Sequence, residues 1–348
     1  MRRTAIRRYH LKLKHRKERI VRIVLVALVV LFAAQLHAQD NPAESSPTAT
    51  LEEVLVTGEQ PGPGLWKVSS GDHTLWILGS YAPLPKKMTW KSSEVENVVA
   101  ASQELLTSGT VDADIGFFKA LTLLPSLIGI RNNPDGAKLR EVVPPDLYKR
   151  WSVLKEKYIG RDNDAEKWRP IFAAQELYSK AIEKSGLVSG GIVWPIVQKT
   201  AKKNKLKITT PLIKVEIDKP RAVIKEFKKS QLADIDCFAK TIERLETDLD
   251  AMRARANAWA KGDVDALRRL THVDQASACI AAVMNAQVVQ ERGYQELPAR
   301  IQKEWVDAAA AALAQNRSTF AVLSIQEILR PDGYLAALRA KGYTIDEP

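Results

Sequence analysis

Histidine and cysteine are scarce in this chain. Its 348 residues include five His and two Cys. His10, His15 and His37 fall in the N-terminal leader, which leaves His73 and His272 for the body. No His-Glu-x-x-His and no Cys-x-x-Cys is present, so the common zinc patterns are excluded. Gly-x-Ser-x-Gly, a P-loop and Gly-x-Gly-x-x-Gly after a strand are also missing, and with them the usual hydrolase, NTPase and dinucleotide signatures. The apolar run at residues 23–34 falls short of the ~20 residues that span a membrane. The eight tryptophans (Trp66, Trp76, Trp90, Trp151, Trp168, Trp194, Trp259, Trp305) keep no fixed period. They read as core or rim packing, not as a base-stacking or sugar-binding platform.

Charge is present but unevenly placed. The formal net charge is +11. Ten Lys or Arg and a single acid, Glu18, lie in residues 1–22, so the remainder is nearly balanced. The high pI therefore describes a leader and gives no case for nucleic-acid binding. The basic run, the apolar stretch 23–34 and the small-residue end Leu36-His37-Ala38 have the form of a secretory signal. We expect a signal peptide at 1–38, export to the periplasm or beyond, and a mature start near Gln39. The alternative is an uncleaved inner-membrane anchor, in which case the membrane is met only through this segment. Residues 39–64, rich in Pro, Gly, Ser and acids, read as a linker, and 65–348 as a single domain. In an oxidising compartment the pair Cys237 and Cys279, both in helical text, predicts a disulfide between two helices.

Two short apolar runs, 65–68 and 74–79, flank Ser-Ser-Gly-Asp and predict a β-hairpin. Gly79–Ser80 reads as a tight turn into a proline-broken loop, and His73 as a solvent-side turn residue. Helical periodicity starts at Ser93 and includes Leu105–Leu106. Helices follow at 113–130, which Pro125 should kink or end, from the prolines at 144–145, at 164–187 with an interruption at Pro170, at 219–229, at 231–263 as one long helix, and at 296–316. Strands are expected at 205–213 and 318–325, then a helix and a terminal strand over 331–345. Strands towards both ends and helices between them indicate an α+β fold with small sheets built from the N- and C-terminal segments and a largely helical middle. Among acids, Asp234 and Asp236 read as a solvated helical face. Glu216 and Asp218, beside a strand, are the best placed for chemistry.

The segment LWKVSSGDHTLWILGSYAPLPKKMTW resembles the opening hairpin of the TraB/GumN family, which includes the Tiki proteins. There the hairpin ends in a Gly-x-x-His motif. Gly79 matches the glycine, and Ala82 stands where the histidine belongs. AASQELLTSG places Thr107 near the acidic residue of the family's next strand. ANAWAKGDVDALRRL resembles its Trp-x-x-Gly-Asp helix. FAVLSIQEILRPDGYLAALRAKGYTI is similar to the second Gly-x-x-His, with Leu323 for the glycine and Gln326 for the histidine. In members treated as metal-dependent peptidases, the paired histidines and the acids are taken to ligate the metal. The resemblance therefore implies the family fold over most of 65–346 without that metal site, and no cofactor. It points to a non-catalytic binding or accessory role in the envelope, with a cleft around Gly79, Tyr81, Ala82, Trp90, Thr107 and Gln326 for an envelope protein, a peptide or a glycan. The competing expectation is a hydrolase reorganised around Glu216 or Asp218 with His73 or His272.

Overall fold

The computed structural model describes residues 62–348 except 114, 116, 271 and 272. The signal and most of the linker lie outside the described residues, as does His272. The strands are β1 (Leu65–Ser70), β2 (His73–Ser80), β3 (Leu84–Pro85), β4 (Glu104–Leu106), β5 (Thr110–Ala113), β6 (Leu187–Val188), β7 (Lys207–Thr209), β8 (Leu212–Val215), β9 (Ser318–Ser324) and β10 (Thr344–Asp346). The principal helices are α1 (Ser93–Ala101), α2 (Phe117–Leu127), α3 (Pro145–Tyr158), α4 (Pro170–Lys184), α5 (Trp194–Lys203), α6 (Pro220–Lys229), α7 (Ile235–Thr247), α8 (Leu249–Ala260), α9 (Gln275–Met284), α10 (Leu297–Gln315), α11 (Ile325–Leu329) and α12 (Tyr334–Ala340).

A six-stranded sheet runs in the order β10-β1-β2-β9-β4-β7. It joins the two ends of the chain, as the distribution of strands predicts. β1 and β2 form the antiparallel hairpin, and β10 closes the outer edge against β1. β2, β9, β4 and β7 are mutually parallel. β2 and β9 are near-continuous apolar runs because helices cover both of their faces. Leu75, Ile77, Leu78, Phe320 and Ala321 are buried, with Trp305 of α10 packed in the same core. A second core joins α3, α4 and α7 around Trp151 and Phe238.

Four local expectations are corrected. Gly79 and Ser80 belong to β2 and pair with Leu323 and Ser324, so no turn lies there. Glycine is needed at 79 for another reason: a Cβ would sit 2.5 Å from Ile325 Cδ1 and 3.0 Å from Trp66. Leu105–Leu106 leave the helix for β4, because pairing with β9 outweighs the local 3.6-residue pattern. The expected strand 205–213 is two, β7 and β8, split at Thr210–Pro211, where proline has no N–H to give the ladder. The long helix at 231–263 is α7 and α8, broken at Asp248.

The disulfide is formed. Cys237 on α7 and Cys279 on α9 are bonded, with Cα atoms 4.5 Å apart, and both are buried.

Candidate functional site

The parallel register of β2 and β9 sets Gly79 opposite Leu323 and Ser80 opposite Ser324. Ala82 and Gln326 therefore lie three residues beyond matched positions of neighbouring strands. β4 flanks β9 on the other side with Leu106 opposite Ala321, so Thr107 emerges at the same end. Ser108 Oγ donates to the Val322 carbonyl (3.2 Å), and Ser80 Oγ to the Leu323 carbonyl (3.0 Å). Thr107 Oγ1 donates to Thr210 Oγ1 at 2.8 Å. Register thus gathers Ala82, Thr107 and Gln326, all half-buried, at one sheet end. The chemistry there is hydroxyl and amide. Crevices outside the carboxyl ends of parallel strands are where such sheets commonly bind ligands.

The corner after β2 is held from beneath. The indole N–H of Trp259 on α8 donates to the Gly79 carbonyl at 2.6 Å. Trp90, half-buried, lies 5.5 Å from the Trp259 ring. Its Nε1 has no hydrogen-bond partner among the described residues, but neither have Trp66 and Trp151, so this orphan donor does not mark a site. Tyr81 is buried, and Arg255 Nε donates to its hydroxyl at 3.1 Å. Burial pushes the Tyr81 phenol up, against the opposing pull of the Arg255 guanidinium, which leaves it neutral. Arg255 also donates to Asp248 Oδ2. Arg244 Nε stands 3.5 Å from the same oxygen, and its Nη1 donates to Gln275 Oε1 at 3.1 Å. Tyr81 thus ties the corner to a buried ionic cluster at the α7–α8 break. Sequence reasoning missed the link between this cluster and the corner, because Tyr81 and Arg255 lie 174 residues apart.

The family model for the TraB/PrgY/gumN family matches residues 64–347. The chain belongs to the TraB/PrgY/gumN family. Comparison with curated proteins and with solved structures found no match.

In this TraB/PrgY/gumN chain the Trp-x-x-Gly-Asp segment is a set of backbone fasteners. Trp259 holds Gly79, as above. Gly262 adopts φ +70°, and a side chain there would also crowd the Gly62 carbonyl at 3.1 Å. Asp263 caps the following helix by accepting from Ala266 N at 2.8 Å.

The metal that the family resemblance implies is tested by the donors present. Ala82 offers none. Thr107 is neutral and engaged with Thr210. Gln326 is a weak neutral ligand for a divalent transition metal. Among the described residues no group of three or more His, Cys, Asp or Glu could hold a metal ion. These residues do not fit the metal, and no step is derived through one.

The other candidate groups lie elsewhere. His73 begins β2, whereas Ala82 follows its end, so about 20 Å of strand separates them. His73, expected as a solvent-side turn residue, opens β2 and is half-buried, with Nδ1 bonded to the Leu313 carbonyl. Glu216 and Asp218 are exposed after β8. Asp236 is exposed, as expected, but Asp234 is not on a solvated face: it is buried. Its Oδ2 accepts from Ile171 N at 2.9 Å, and burial pushes its carboxyl up to about 6. Helix packing determines that burial, and charge pattern alone does not show it. Glu104 in β4 is the buried acid next to the candidate site in sequence. Its Oε2 accepts from Asn316 Nδ2 (2.9 Å) and Lys207 Nζ (3.2 Å). Burial alone would raise its carboxyl, but hydrogen bonds from Thr209, Asn316 and Lys207 together hold it below the usual range.

Proposed function

We propose that this chain is an exported TraB/PrgY/gumN member that binds a neutral polar ligand, a peptide or a glycan, without metal or catalysis. The ligand would sit at the carboxyl ends of β2, β9 and β4. The observation that carries this reading is the register Gly79↔Leu323, which brings the two corner segments side by side with Ala82 and Gln326 in the family's histidine slots. Neutral hydroxyls and an amide can hydrogen-bond sugar hydroxyls or peptide groups without the desolvation cost of a charge. Export rests on the leader in the sequence, and an accessory role in the cell envelope follows from export and binding together. Under this reading Tyr81, Trp259 and the Arg255–Asp248 pair position the corner.

The test is a titration of the purified chain with peptide and oligosaccharide panels, in parallel with a peptidase assay. Thr107→Ala and Gln326→Ala should each weaken ligand binding about tenfold, the loss of about 1.4 kcal/mol, with the near-ultraviolet dichroism unchanged. Chelator-sensitive peptide cleavage by the wild-type chain would overturn the reading in favour of a reorganised hydrolase.

A further inference from the structure

Helix α2 carries an apolar ridge that faces solvent. Its inner side packs Leu123 against Ile224 of α6. On its outer side Leu121 is 41% exposed, Leu124 42% and, just past the helix, Ile128 77%; Pro125 is exposed between them. The spacing of three and four residues makes one stripe. Between residues 115 and 130 Lys119 is the single charged residue.

The neighbouring helix supplies cations. α6 holds Arg221, Lys225, Lys228 and Lys229. Its one acid, Glu226, is ion-paired with Arg292. Arg221, Lys225 and Lys228 follow the i, i+4, i+7 spacing of a single helix side. Arg221 Nη2 donates to the Thr122 carbonyl at 3.1 Å, and Lys228 Nζ to the Ile128 carbonyl at 2.6 Å. These bonds set a positive group against each end of the ridge. Lys219, Lys225 and Lys229 are exposed.

We propose that α2 and α6 form a docking face for an anionic phospholipid bilayer. The ridge side chains enter the acyl boundary, and the lysines and Arg221 lie at the phosphate level. The chemistry favours lipid over a protein partner: the side chains of Leu121, Leu124, Pro125 and Ile128 carry no hydrogen-bonding group, and α6 holds four cations against one acid, which is itself ion-paired with Arg292. This contact uses no residue of the N-terminal segment or of the candidate site.

A single reporter tests it on the full chain. The only two cysteines are bonded to each other, so an environment-sensitive dye can be attached to Ile128→Cys. The control is Val153→Cys on α3, 65% exposed in the native residue. The dye at 128 should shift to the blue with phosphatidylcholine–phosphatidylglycerol vesicles and not with phosphatidylcholine alone, and the control should stay unchanged. High salt should weaken the binding, and Lys225→Gln and Lys229→Gln should each weaken it roughly fivefold. No shift with phosphatidylglycerol, or equal shifts at both positions, would overturn the proposal. So would a shift without vesicles that grows with protein concentration, because a second copy would then be the occupant.

Discussion

Trp259 donates its indole N–H to the backbone carbonyl of Gly79 across 2.6 Å. The bond joins the end of α8 to the end of β2, 180 residues apart, and holds the corner that leads to Ala82. Both partners are matched to their places by packing. Trp259→Phe keeps an aromatic ring but removes the indole N–H that donates to the Gly79 carbonyl, at a cost of about 1–3 kcal/mol. Gly79→Ala drives a methyl into Ile325 and should cost a similar 1–3 kcal/mol. Urea unfolding of the two variants measures both losses. A variant as stable as wild type would show that the corner is not fastened in this way.

The Cys237–Cys279 bridge closes a 42-residue separation. Chain-entropy reasoning assigns a loop of this size about 4 kcal/mol of stabilisation. The double variant Cys237→Ala/Cys279→Ala should lose stability on that order, and adding reductant should not change it further. Thermal unfolding with and without reductant checks both statements.

Asp234 should make the protein less stable as pH rises through the carboxylate range. Its folded value, pushed up to about 6 by burial, lies above that of the unfolded chain, so the native state retains the proton to higher pH. The stabilisation from that proton is complete below the unfolded value and is lost by about pH 6. Asp234→Asn keeps an acceptor for Ile171 N and removes the titration. Its stability relative to wild type should therefore rise by up to about 3 kcal/mol between pH 4 and 7. A difference that stays flat with pH would contradict the burial of this carboxyl.

Glu104 carries the opposite sign. Its carboxyl lies below the unfolded value, so its contribution is present above that value and lost as pH falls through the folded one. Glu104→Gln should cost about 1.5–3 kcal/mol at neutral pH, with a gap from wild type that closes on acidification. Paired denaturation curves across the acid range test this.

Much of this architecture could be read from the residues. Alternation and turn chemistry gave the β1–β2 hairpin, and the unbroken apolar run in β9 pointed to a buried strand. The meeting of the chain ends in one sheet followed from where such runs lie. Leu105–Leu106 misled because they continue the helical spacing of Val95 and Val99, and only pairing with β9 makes them a strand. At the break, Asp248 is buried with Arg255 bonded to its carboxylate and Arg244 3.5 Å away, and Asp234 is buried against Ile171, 63 residues away. At the candidate site the residue types at Ala82, Thr107 and Gln326 were legible through the resemblance. Their gathering at one sheet end needed the β2–β9–β4 register.

Binding at the sheet end without a metal is the proposal on which the rest depends, and the metal content of the wild-type chain decides it. The chain would be purified from its native compartment without chelator and assayed by elemental mass spectrometry. No stoichiometric zinc or manganese is expected. A stoichiometric metal, released by chelator together with a peptidase activity, would contradict it.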